Sequence, residues 1–210
     1  MARGDGRGAR GVAMRTFGLI PAAGLSQRMG RPKLLLPIGG RTVLEFVISA
    51  LQTAHVDEII VVSGPGGEAI AQLATTAGAH AVQLAEQTPD MRATCLAGLN
   101  WIEARFQPAP QDAWLLLPAD HPTVRADVVF ALMNAAARAT QSIFLPVHGG
   151  RRGHPTLFGW KHVSAIRAQP PDVGINAYIR KNAHEVHELE WSSDEVTRDL
   201  DTPADYERLR

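Results

Sequence analysis

The sequence predicts an open, doubly wound, mostly parallel α/β sheet with helices on both faces. Three observations predict it. From residue 16 to residue 139, short apolar runs alternate with amphipathic helical periods, the pattern of successive parallel β-α-β units. The run AWLLL at 113–117 has no polar alternation, as expected of a strand covered on both faces. Breakers punctuate the runs, with Gly64-Pro65-Gly66-Gly67 after one strand and Gly78 after one helix.

Taken in order, TFGLIP (16–21) reads as a buried strand, followed by a glycine-bearing loop over 22–33. Residues 42–54 place Val43, Phe46, Val47, Ala50 and Leu51 on one helical face. EIIVVS (58–63) is a strand and 68–77 a helix, with Gly78 in the position that ends it. A brief strand at 79–84, a helix at 92–106, the strand at 113–117 and a helix at 126–139 continue the alternation. Beyond Gln141 the regularity weakens to a strand at 142–147, a Gly/Arg loop, short mixed elements and a terminal helix from Pro203. Residues 1–15, MARGDGRGARGVAMR, have no apolar period and are expected to be a frayed tail, with Met14 as an alternative start. Residues 16–210 then form a single domain.

Composition narrows the function. The chain has 210 residues, 21 Lys+Arg against 21 Asp+Glu, and a single cysteine. Balanced charge argues against a dedicated nucleic-acid binder. One cysteine excludes an internal disulfide and points to a reducing, cytoplasmic setting. No apolar run approaches the roughly 18 residues of a membrane span, so neither a nucleic-acid nor a membrane partner is expected.

In open α/β sheets ligands bind beyond the carboxyl ends of the strands, where the strand order reverses. Functional residues are therefore expected after Pro21, Ser63, Leu117 and Val147. The segment 21–33, PAAGLSQRMGRPK, follows the first strand. Its small residues let backbone approach a ligand, and Arg28 and Lys33 add two cations suited to a polyphosphate. The glycines at 24 and 30 fit neither G-x-G-x-x-G nor a Walker loop. A turn with solvated basic side chains is the plain alternative. In LLLPADHP (115–122), Asp120 ends the buried strand and is a hard oxygen ligand suited to Mg²⁺. It would equally serve as a helix N-cap, and His121 as a hydrogen-bonded loop residue.

RDLDTPADY (198–206) places Asp199 and Asp201 two apart in an extended stretch, where they would face one side and join Asp120. Asp205 reads as first-turn compensation of a helix dipole. GGRRGHP (149–155) offers paired arginines to an anion, or is simply a basic hairpin tip. DMRATC (90–95) opens a helix whose free N–H groups suit an anion or a base edge. Cys95 reads as a buried packing residue.

Together these segments resemble the MobA-like NTP transferases, most closely the molybdenum cofactor cytidylyltransferase branch. PAAGLSQRMGRPKLLLPIGGRTVLE is similar to that family's A-A-G-x-S-x-R-M-G-x-x-K-L-L-L signature. MRATCLAGL, PADHP, RRGHPTLF, DVGINAYIRKN and RDLDTPADY match further motifs in order, from about Phe17 to Leu209. The metal segment reads A-D-H-P where cytidylyltransferases usually carry G-D-Q-P, and Ala93-Thr94-Cys95 replaces a serine-rich stretch.

The resemblance implies a Rossmann-like nucleotide-diphospho-sugar transferase fold. It also implies transfer of a nucleoside monophosphate from an NTP to a phosphorylated acceptor with release of pyrophosphate. CTP is favoured by Ala23, and molybdopterin or molybdenum cofactor is the implied acceptor, with docking to a molybdoenzyme or its chaperone. Ala22, Ala23, Gly24, Ser26 and Thr94 would bind the nucleotide, Arg28 and Lys33 the triphosphate, and Arg152, Gly153 and His154 the acceptor. Mg²⁺, or Mn²⁺, would sit on Asp120 and Asp199, with Asp201 as the alternative to Asp199. Arg28, Lys33 and Asp120 would carry catalysis. The competing readings are a sugar-phosphate or other small-acceptor nucleotidyltransferase, an NAD(P)H-dependent oxidoreductase on the same fold, and a non-catalytic cofactor carrier.

Overall fold

The structure, a computed structural model, describes residues 14–24, 29 and 32–210. The tail over 1–13 and the expected ligand residues Ser26 and Arg28 lie outside the described residues. The elements alternate as the periodicity predicts: β1 (Thr16–Ala22), α1 (Val43–Thr53), β4 (Glu58–Ser63), α2 (Glu68–Thr76), β5 (His80–Gln83), α3 (Met91–Phe106), β6 (Ala113–Leu116) and α4 (Ala126–Ala136). Two short strands, β2 (Pro37–Ile38) and β3 (Arg41–Thr42), form a hairpin before α1. Gly39 and Gly40 turn it at φ of 51° and 86°, a left-handed pair that glycine adopts without strain. Thr42 caps α1 rather than opening it, accepting from the Glu45 N–H in a reciprocal capping box.

The C-terminal third adds β7 (Ile143–His148), β8 (Arg151–Arg152), β9 (Thr156–Gly159), α5 (His162–Arg167), α6 (Ile175–Lys181), β10 (Val186–Glu190) and α7 (Pro203–Leu209). The main sheet runs β10-β7-β9-β6-β1-β4-β5, with β8 paired to β7. The pairs of β1 with β4 and β6, β4 with β5, and β7 with β10 are parallel. Inserted β9 runs antiparallel to both β6 and β7. The chain winds from β1 outward through β4 to β5, then α3 returns it to β6 on the other side of β1. Strand order therefore reverses between β1 and β6, and a crevice must open at their carboxyl ends.

Alternation along the strands divides the core. Phe17, Leu19, Ile60, Val62, Trp114 and Leu116 face α3, α5 and α6. Ile20, Val61 and Leu115 face the layer containing α1, α4 and α7. Trp114 stacks on Phe158 with ring centroids 4.5 Å apart. α3 lies so close to the sheet that a Cβ at Gly98 would sit 2.4 Å from the Leu19 side chain, which fixes where its first turn meets the strand ends. Cys95, fully buried on this face with its thiol pushed up by burial, is a packing residue. Among the described residues no helix is long and apolar enough to cross a membrane.

One expectation needs correcting at the N-terminus. The tail was drawn to residue 15, but Arg15 is anchored by the Asp112 carboxylate, 1% exposed, at the start of β6. Asp112 accepts from the Arg15 backbone N–H at 2.9 Å, from Arg15 Nη2 at 2.7 Å and from the Ala109 N–H at 2.8 Å. Burial alone would raise the Asp112 pKa, but these bonds and the guanidinium outweigh it and hold the pKa below the ordinary value. Its stabilising contribution is therefore present above the unfolded carboxyl pKa and lost as pH falls through the folded one. Asp112→Ala should lower the unfolding free energy by about 2–3 kcal/mol at pH 7. In urea titrations the gap from the parent protein should narrow below about pH 4; a gap independent of pH would contradict this account.

Candidate active site

The crevice at the reversal point is a cavity of about 300 Å³. Pro21, Ala22, Ala23 and Gly24 line it from the end of β1, and Pro118, Ala119 and Asp120 from the end of β6. The two loops are tied by the Ala119 N–H donating to the Pro21 carbonyl at 3.3 Å. Lys33 and Leu34, in a single 3-10 turn, enter from a third side, and Met91 and Thr94 from the first turn of α3.

From the cavity wall Lys33 Nζ donates to Asp120 Oδ2 at 2.8 Å and, outside the lining, to Asp201 Oδ1 at 2.9 Å. The three side chains are 14%, 26% and 34% exposed. Burial opposes ionising Lys33, yet the two carboxylates more than offset it and raise its pKa. Asp120 is shifted the other way: burial favours the neutral acid, while His121 and Lys33 hold it ionised, well below the ordinary carboxylate range. His121 Nδ1 lies 2.9 Å from Asp120 Oδ1, so the histidine is bonded in the loop. Asp120 is not the N-cap of the next helix, because α4 begins after Arg125.

The geometry reverses the preference between the two C-terminal aspartates. Asp201 accepts from Lys33 Nζ, whereas Asp199 is exposed; neither is among the residues that line the cavity. A regular two-residue pleat would have placed both on one side. The connector is too short for one, running from the 3-10 turn Asp194–Val196 to Thr202, the N-cap of α7. Leu200 is fully buried, and its N–H donates to the Asp120 carbonyl at 2.8 Å. That bond brings the following residue, Asp201, to the Lys33–Asp120 pair. Asp205 stands in the first turn of α7, as expected of a dipole-compensating residue, and also completes a capping box with Thr202.

Thr94 Oγ1 is 2.6 Å from Thr88 Oγ1, and Asp90 caps α3 by accepting from the Ala93 N–H at 2.8 Å. Gln87 Nε2 donates to the Ala23 carbonyl at 2.9 Å, bridging the loops after β5 and β1. Gln87 and Thr88 were not foreseen, although the loop after β5 lies on the same carboxyl edge as the others. The loop after Ser63, expected at the site, does not line the cavity; Gly64 instead backs Ala23 and Gln87.

Arg152, Gly153 and His154 line a different cavity, of about 240 Å³. Gly153 is required by close packing, since a Cβ there would lie 2.3 Å from the Val196 carbonyl oxygen. The His154 N–H donates to that same oxygen at 2.7 Å. The His154 ring meets His121 at 4.7 Å between centroids, nearly edge to face. Burial and the neighbouring His121 push its pKa down to about 3, so the ring is neutral.

Two carboxyl oxygen donors gathered around one cation suit a small divalent ion that keeps water and substrate oxygens in its other positions. Among the described residues no group of three or more His, Cys, Asp or Glu side chains forms a closed metal cage. The donor set fits an open, substrate-completed site.

Comparison with known proteins shows the family. Residues 18–186 match the model of the MobA-like NTP transferase domain. The chain is 28% identical over 193 residues to the molybdenum cofactor cytidylyltransferase of Escherichia coli K12, covering 90% of this chain and 92% of that one. It is 24% identical to the nicotine blue oxidoreductase of Paenarthrobacter nicotinovorans, over 91% of this chain and 95% of the relative. The crystal structure of Rv0371c from Mycobacterium tuberculosis H37Rv superposes with a TM-score of 0.77 at 26% identity, covering 93% of this chain and 98% of that one. With the fold, the crevice at the strand reversal and the family model in agreement, the chain belongs to the MobA-like NTP transferase family.

Proposed function

We propose that the protein is a metal-dependent cytidylyltransferase that moves CMP from CTP onto a phosphorylated acceptor, molybdenum cofactor being the acceptor favoured by the Escherichia coli relative. One observation carries the reading: Lys33 and Asp120, which line the crevice between β1 and β6, are joined to Asp201 through the Lys33 ammonium. A polyphosphate is too anionic to enter beside two carboxylates unless cations balance it. Asp120 and Asp201 would hold Mg²⁺ or Mn²⁺, which when bound supplies the positive charge that offsets the triphosphate and the leaving pyrophosphate. Lys33 is a point charge on a flexible stem, able to serve phosphate oxygens once the carboxylates have another partner. Backbone at Ala22, Ala23 and Gly24, with Gln87, Thr88 and Thr94, would hold base and ribose.

In the reaction an acceptor phosphate oxygen attacks the α-phosphorus and the bond to pyrophosphate breaks. The acceptor is already ionised near neutral pH, so the chain supplies alignment and charge rather than a strong base. The oxidoreductase relative makes hydride transfer the second reading, but the loop after β1 lacks the dinucleotide G-x-G-x-x-G.

Asp120→Ala, Asp201→Ala and Lys33→Ala should each lower pyrophosphate release at least about a hundredfold. Asp199→Ala should stay near the parent rate, and equal losses from both C-terminal aspartates would reject the assignment to Asp201. In thermal-shift assays Mg²⁺ with CTP should stabilise the protein more than GTP, and NADPH should not stabilise it. Stabilisation by NADPH alone would favour the oxidoreductase reading.

A further inference from the structure

Arg92 is the second residue of α3, between Met91 and Thr94, which line the cavity at the strand reversal. Its own side chain is not part of that lining and runs instead to the end of α5, with 8% of the residue exposed. Nη2 donates to the carbonyls of Ile166 at 2.9 Å, Gln169 at 2.7 Å and Arg167 at 3.4 Å. Nη1 donates to those of Pro170 at 3.1 Å and Pro171 at 3.5 Å. One guanidinium thus gathers the last carbonyls of α5 and the connector that leads to α6. Pro170 and Pro171 have no N–H, so this connector has few backbone donors with which to hold itself.

Stability alone does not account for the arrangement. A guanidinium is a permanent cation, and Arg92 makes no ion pair with a carboxylate among the described residues. Its Nε is buried without a partner. Burying a cation on neutral carbonyls with one N–H orphaned is costly, where an apolar side chain would fill the space without that cost. What the guanidinium adds is direction, because its bonds leave a rigid planar fork. The close approach at Gly98 sets the height of α3 over the sheet, but one point of contact leaves the first turn free to slide and rotate. Arg92 removes that freedom at the end that carries Met91 and Thr94. Further along α3, Arg167 Nη2 donates to Asn100 Oδ1 and Glu103 Oε2, both at 2.8 Å, an exposed tie between the same two helices.

We propose that Arg92 is a positioning residue for the nucleotide: it locks the first turn of α3 to the α5–α6 connector and so places Met91 and Thr94 against a nucleoside triphosphate that it does not itself touch. The inference rests on the nucleotidyl-transfer reading and adds to it a determinant of nucleotide affinity outside the cavity.

The test is calorimetric titration with Mg²⁺ and CTP, well below the melting transition of each protein, comparing the parent with Arg92→Leu, Arg92→Lys and Arg167→Ala. Arg92→Leu should bind at least about tenfold more weakly than the parent. Arg92→Lys keeps a cation but not the planar fork, so it should show most of the same loss, and it carries the test if the leucine variant does not fold. Arg167→Ala should bind like the parent, since its tie is exposed and lies beyond the first turn. In NMR spectra of the parent, Mg²⁺ and CTP should move the buried Arg92 Nε–H signal, which a side chain serving stability alone would not show, and leave that of Arg167 in place. Parent affinity in the Arg92 variants would overturn the proposal. Equal losses from Arg92→Leu and Arg167→Ala would also overturn it, by showing only a general loosening between α3 and α5. If the parent itself binds no CTP with Mg²⁺, the nucleotidyl-transfer reading falls and this inference falls with it, a result distinct from parent binding that survives substitution of Arg92.

Discussion

A lysine ammonium held between two carboxylates is the constraint on which the site depends. Lys33 lies 87 residues before Asp120 and 168 before Asp201, so only the completed fold assembles the three. None is fully solvated, and burial alone would disfavour the charged forms of Lys33 and Asp120, which each keeps through its partners. Their charges are mutually required, and the sheet reversal, the short connector before α7 and the turn at Lys33 all serve to deliver them. Such an arrangement is weak evidence of stability, because desolvation consumes much of the Coulomb gain. On the proposed nucleotidyl-transfer reading it is a prepared charge balance for an anionic substrate.

That balance explains the division of labour between the two ends of the chain. The N-terminal β-α-β units supply a rigid floor, with Gly98 pressing α3 against the sheet so that Thr94 and Met91 reach the crevice. The C-terminal third supplies the reacting geometry: Leu200 binds the Asp120 carbonyl, and Gly153 and His154 clamp onto the Val196 carbonyl. One short stretch, 196–201, thus links the basic hairpin loop to the carboxylate site. The cavity at Asp120 and the one lined by Arg152 and His154 are bridged by two histidine rings, His121 and His154.

Much of this was readable from residue order. The sheet was legible because buried parallel strands have no polar alternation and their helices have a clear apolar face. Asp120 was legible because a carboxylate at the end of AWLLL and its following turn has few places to go except the carboxyl edge. The choice between Asp199 and Asp201 was not, since it depends on which way the short connector over 197–201 bends once Leu200 is buried. Gln87 and Thr88 carry no charge and sit after a weak, half-exposed strand, so nothing local marks them. The anchoring of Arg15 needed knowledge of Asp112, 97 residues away. The approach of His154 to His121 likewise exists only after β9 is inserted between β6 and β7.

The most direct measurement is a double-mutant cycle on the affinity for Mg²⁺ with CTP, using Lys33→Ala, Asp120→Ala and the double variant in calorimetric titrations. Groups in one charge network are non-additive, so a coupling energy of at least about 1 kcal/mol is predicted between them. Additive losses would mean that the lysine and the aspartate act on the nucleotide independently, which would contradict a shared charge balance at the strand reversal.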